Sequence, residues 1–176
     1  MNRRSRMISA IALVLVAGCA ATAPVDESAA RISVAFIEPE KFTDARRGEL
    51  EPTSTGTVGE LQKFIITTGA RYIPENMTLN IRITDIDLAG DFELFRGPQA
   101  DQVRIVRGLY PPHIVLEFEI MDSAATVVKS GKRDLTDINY QLRSVHPRED
   151  YLRYEKDILR DWLRAELGVL KAAKTT

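Results

Sequence analysis

Cysteine is nearly absent: the 176 residues contain one, Cys19, so no intrachain disulfide can form and no cysteine cluster can hold zinc. Histidine is scarce as well, with only His113 and His146, and tryptophan occurs once, at Trp162. The apolar runs are short. The longest, Met7 to Ala17, has 11 residues, where a membrane-spanning helix needs about 20. Excess positive charge is also missing: 24 Lys plus Arg stand against 25 Asp plus Glu. That balance argues against a nucleic-acid groove, which needs a basic face. There is no internal repeat, no Gly-x-Ser-x-Gly elbow and no Ser-x-x-Lys pair. Lys129-Ser130-Gly131 therefore lacks the nucleophile that its lysine-serine-glycine pattern would serve in penicillin-binding enzymes, and reads as a polar strand.

What the N-terminus does hold is an address. Arg3, Arg4 and Arg6 precede the short apolar run, and Val16-Ala17-Gly18-Cys19 closes it. A charged start, a short apolar stretch and small residues make a secretory signal. The last four residues resemble the lipobox of bacterial lipoproteins, in which the cysteine sulfur takes a lipid and the chain is cut before it. The resemblance implies a signal peptide over 1–18 and a lipidated Cys19. With no aspartate after that cysteine, it also implies an outer-membrane anchor facing the periplasm. Removal of the three arginines takes Lys plus Arg to 21 against 25 acids, a net charge of −4. Residues 19–30 are small and polar and read as a tether.

One domain is expected over 31–168, with a loose tail over 169–176. "RISVAF" alternates as a strand, and 40–56 reads as a loop. "TVGELQKFIITTGARYI" predicts a helix opened by a Thr57–Glu60 capping box and ended by Pro74. In "TLNIRITDIDL" the apolar alternation slips after Ile83, which predicts a bulge near Thr84–Asp85. "VRIVRG" is a short strand, and "HIVLEFEIMD" and "TVVKSGKRDL" make a hairpin. A helix then runs over "YLRYEKDILRDWLRAELGVL", capped by Asp150 and nearing its end at Gly168. The order β-α-β-β-β-β-α predicts an α+β fold: a small antiparallel or mixed sheet of four to five strands with two helices on one face.

Four phrases, "FIEPEKFTDAR", "ITDIDLAGDFE", "RGLYPPHIVLEFEIMD" and "LRYEKDILRDWLRAEL", occur in an order that resembles a bacterial envelope family known as domain of unknown function 3016. The resemblance runs from about Ile32 to Gly168. It implies a secreted or lipid-anchored protein, and it brings no activity and no catalytic residues.

Asp85, Asp87 and Asp91 are the candidate metal ligands, because with Gly90 they match part of a calcium-loop spacing. Ala89 and Arg96 occupy positions where that loop needs oxygen ligands, so a strand end and turn is the competing reading. Phe92, Leu94 and Phe95, apolar residues in a Gly- and Pro-containing loop that are hard to bury, form a candidate partner-binding patch with Tyr110 bracing its rim, and folding back over the sheet is the competing reading. The composition calls for no cofactor, no assembled catalytic set is visible, and nucleic acid is not expected. The leading expectation is a non-enzymatic, membrane-anchored module for a protein or cell-wall partner. The alternatives are a metal- or small-ligand-binding protein and an envelope hydrolase in which His113 acts with the aspartates.

Overall fold

The computed structural model describes residues 29–45, 55–93 and 104–173. Cys19, Leu94 and Phe95 lie outside these residues. Strand β1 (Ile32–Phe36) pairs in parallel with β2 (Met77–Asp87), placing Ile32 opposite Leu79. A parallel pair needs a crossover, and helix α1 (Thr55–Gly69) lies in it. Two short strands, β3 (Asp91–Phe92) and β4 (Arg104–Ile105), form a separate two-stranded sheet. Strand β5 (His113–Asp122) then returns antiparallel to β2, and β6 (Val127–Thr136) pairs antiparallel with β5. Helix α2 (Arg153–Ala173) closes the fold. The main sheet has the order β1-β2-β5-β6 and is mixed.

Alternation decides which face is buried. Leu79, Ile81 and Ile83 of β2 and Ile114, Leu116, Phe118 and Ile120 of β5 point to one side. There they meet Leu61 and Ile65 of α1 and Leu159, Trp162, Leu163 and Leu167 of α2. The opposite face stays in water and carries Arg82, whose guanidinium reaches Glu117 at 3.2 Å. Gly69 shows how closely these layers approach. A Cβ there would stand 2.7 Å from Ile32 Cδ1 and 3.5 Å from Leu163 Cδ2, so α1 rests on both β1 and α2.

The bulge is present: the β2–β5 register shifts between Ile83 and Asp85. The extra residue turns Ile86 back to the core, where it is fully buried, and sends Asp85 and Asp87 to the open face. The hairpin is present too. The Asp122 carboxylate accepts the N–H groups of Ala124 and Thr126, both at 2.9 Å, which folds the turn.

Four expectations need correction. Thr57 does not cap α1; it lies within the first turn, buried, with its Oγ1 3.4 Å from Tyr151 Oη. The helix stops at Gly69 rather than running to Pro74, and tight turns fill the interval, with the N–H groups of Tyr72 and Ile73 both donating to Gly69 O at 2.9 Å. The short strand of "VRIVRG" is present at Arg104–Ile105, but the single expected sheet is two, because Ile105 pairs with Asp91 outside the main sheet. Finally, α2 passes through Gly168 to Ala173, so the first residues of the expected tail are helical. Leu170 packs against the core and gives that last turn something to bury.

Candidate functional site

Topology gathers three strand ends into one row. Asp87 ends β2, His113 begins β5 and Thr136 ends β6, and the register sets Asp87 opposite His113 and His113 opposite Thr136. Directly opposed residues share a face, here the open one. Asp134, two positions before Thr136, lies on it as well, and its Oδ1 is 2.6 Å from His113 Nε2. Above this row is a polar cleft of about 580 Å³, with Asp44, Asp91, Leu109 and Tyr110 among its walls.

The walls are held by backbone. Asp44 bridges to Asp87: its N–H donates to Ile86 O and its carbonyl accepts Leu88 N–H, both at 2.9 Å. Gly90 N–H donates to Tyr110 O at 3.0 Å. Gly90 has φ +86°, and a Cβ there would stand 2.7 Å from Ile105 O, so only glycine fits this turn. Arg104 ties the pieces together. Its Nη2 pairs with Asp44 Oδ2 at 2.5 Å, its Nη1 donates to Gly90 O at 2.6 Å and to Leu88 O at 3.3 Å, and its guanidinium lies 4.7 Å from the Phe92 ring centroid.

Burial raises the Asp87 carboxyl above its ordinary value, and the charge of Asp44 adds to this, while His113 and Arg104 oppose it. A second titratable group lies behind the cleft. Glu155, in the first turn of α2, is fully buried and accepts the Ala89 N–H at 2.6 Å. Burial pushes its carboxyl up to about 7 against the pull of that N–H, Arg104 and Arg153.

The candidate metal ligands do not act together. Asp85 accepts from Thr43 N–H at 2.7 Å and from Thr43 Oγ1 at 2.8 Å, fixing the segment before Asp44 to β2. Asp91 accepts the N–H of Phe92 at 2.7 Å. Among the described residues no group of three or more His, Cys, Asp or Glu is placed to hold a metal ion. Asp87, Asp91 and Tyr110 do line one cleft, together with His113. Phe92 is half-buried beneath Arg104 rather than displayed. His146 is elsewhere, with its Nε2 3.2 Å from Ser144 Oγ.

Sequence reasoning missed Asp44, Arg104, Asp134 and Glu155. Asp134 was recoverable, since the hairpin register sets it near His113. Asp44 and Arg104 arrive from distant segments with no local signature.

Residues 30–165 match the family described as "Protein of unknown function (DUF3016)", more than half of the chain. The chain belongs to this family. The matched segment of this DUF3016 member spans the whole four-stranded sheet, the cleft and the N-terminal part of α2. Comparison with curated proteins yields no match.

Proposed function

We propose that this DUF3016 protein is a lipid-anchored, periplasm-facing envelope module, held in the outer membrane through Cys19, that binds a protein or cell-wall partner without transforming it. One relationship of position carries the reading. The chain enters the sheet at Ile32, the end where β2 begins and where the β5–β6 hairpin turns. The cleft lies at the other end, where Asp87, His113 and Thr136 meet. A domain tethered before Ile32 thus has its cleft at the end of the sheet opposite its attachment, where the tether does not cover it and a partner can reach it. Leu109, 76% exposed on the cleft wall, supplies an apolar contact at the rim.

The size of the cleft favours a second reading, a small polar ligand, since about 580 Å³ is within the range of small-molecule sites.

The test places a photo-crosslinking residue at Leu109 or at Val128 in the full chain, in its native envelope. A defined partner captured from Leu109 alone, and lost when His113→Ala and Asp134→Ala are added, supports the reading. Capture from Val128 alone, or from neither position, overturns it. Labelled fatty acid should enter the wild-type chain and not Cys19→Ser; labelling of both refutes the anchor.

A further inference from the structure

Glu155 is 0% exposed and couples two elements that local sequence does not connect. Its Oε1 takes the Ala89 N–H at 2.6 Å, while its Oε2 is buried with no hydrogen-bond partner among the described residues. An ionised carboxylate offers about four acceptor sites, so the N–H groups of Ala89 and of Glu155 itself leave the buried anion only partly solvated, with Oε2 unpaired. The uncharged acid in the same position carries a far smaller penalty.

The surroundings do not complete the solvation of a charge. Arg104, from β4, is engaged with Asp44 and with the carbonyls of Leu88 and Gly90. Arg153, from α2 itself, donates through Nη1 to the carbonyls of Arg148 and Asp150 and through Nη2 to Tyr154 Oη. Tyr140, from the 3-10 turn Tyr140–Leu142, gives its hydroxyl to Arg107 O at 2.5 Å, and its ring stands edge-on to Tyr154 at 4.6 Å. Asp44, paired with Arg104, and Asp87, bridged to Asp44, add negative charge around that guanidinium.

We propose that Glu155 is a proton-controlled latch. When it carries a proton it holds the first turn of α2 against the Leu88–Gly90 turn, and when it ionises that contact opens to water and loosens the cleft wall. The wall is the part affected because Leu88 and Gly90 line the cleft directly. The latch stands on the Glu155 geometry and does not require a particular partner in the cleft.

The sign follows from linkage. Burial pushes the closed-state carboxyl up to about 7, and in water the same group has its ordinary value of 4.5. Between these values the open form loses its proton while the closed form keeps it. The opening constant therefore rises as pH rises from 4.5 to 7 and then levels off, by up to about 300-fold in all.

Two measurements on the full chain test this. The first is a carbon-detected titration of the Glu155 carboxyl in the wild type. A midpoint near neutrality is expected, and one in the usual carboxylate range overturns the latch. The second follows hydrogen exchange at Ala89 and in the first turn of α2 from pH 5 to 8, corrected for intrinsic rates. Protection in the wild type should fall by up to about 70-fold across that interval, and in Glu155→Gln it should stay level. A level wild-type profile, or the same slope in both proteins, overturns it. The wild-type measurements stand alone if Glu155→Gln does not fold.

Discussion

Arg133 Nε donates to Glu166 Oε1 at 2.6 Å, and Lys129 Nζ reaches the other oxygen of the same carboxylate at 2.5 Å. The edge strand β6 is thus attached to α2 by charge where its neighbour β5 is attached by apolar packing. The Arg133 guanidinium also lies 4.9 Å from the Phe118 ring centroid, so it covers the border of the core. Burial would raise the Glu166 carboxyl, but the hydrogen bonds and charges of Lys129 and Arg133 outweigh it and hold the group below its usual value.

Glu166→Ala should destabilise the fold by about 1–2 kcal/mol, below the cost of breaking a fully buried pair because both cations keep contact with water. With a lowered folded-state value, this contribution is present above the ordinary carboxylate range and is lost as pH falls through the lowered one. Urea unfolding of wild type and variant at pH 7 and pH 3 should show the difference shrinking at the lower pH.

Glu155→Gln should act in the opposite direction. The folded carboxyl titrates near 7 and the unfolded one near 4.5, so stability falls as pH rises between these values, by up to about 3 kcal/mol. The neutral amide does not undergo this loss. Thermal unfolding should show the variant gaining on the wild type between pH 5 and pH 8.

Gly90→Ala combines a positive φ with a Cβ 2.7 Å from the Ile105 carbonyl oxygen. A loss of about 2–3 kcal/mol is expected, with new hydrogen exchange at the Gly90 N–H that now bonds Tyr110 O. Gly59→Ala meets nothing within 4 Å on the α1 surface and should be neutral or stabilise by about 0.5–1 kcal/mol. Chemical denaturation of the two variants checks both signs.

Asp85 and Asp87 are adjacent on the open face and should respond differently. Asp85→Ala removes the acceptor for both Thr43 donors and should cost about 1–3 kcal/mol. Asp87→Asn removes a charge that burial and Asp44 disfavour, and should raise the melting temperature slightly at neutral pH. Thermal scans at pH 7 distinguish the two outcomes.

The Ile83-to-Ile86 slip shows how a tertiary feature becomes legible: two apolar residues three apart can share a strand face only across an extra residue, and β2 has its bulge there. Glu155 shows a signal passed over. It lies four residues after Tyr151 and four before Leu159, on the apolar stripe of α2, where a carboxylate should prompt the search for a donor. Arg104 shows the limit. Its partners are Asp44, Leu88 and Gly90, and no periodicity in "VRIVRG" relates that segment to them.

Alone, the sequence determined the four strands of the main sheet, the two helices, the bulge and the buried face, because these follow from apolar spacing within one segment; the short strand Asp91–Phe92 has no such spacing. It also carried the Cys19 lipobox resemblance, a local pattern. Only the tertiary structure decided that Asp87, His113, Asp134 and Asp44 face one cleft, that Asp85 is committed to Thr43, and that a carboxylate in α2 secures the cleft wall through Ala89. These relationships depend on strand order and on loops closing across long separations. The chemistry of the site is set by distances that no single segment encodes.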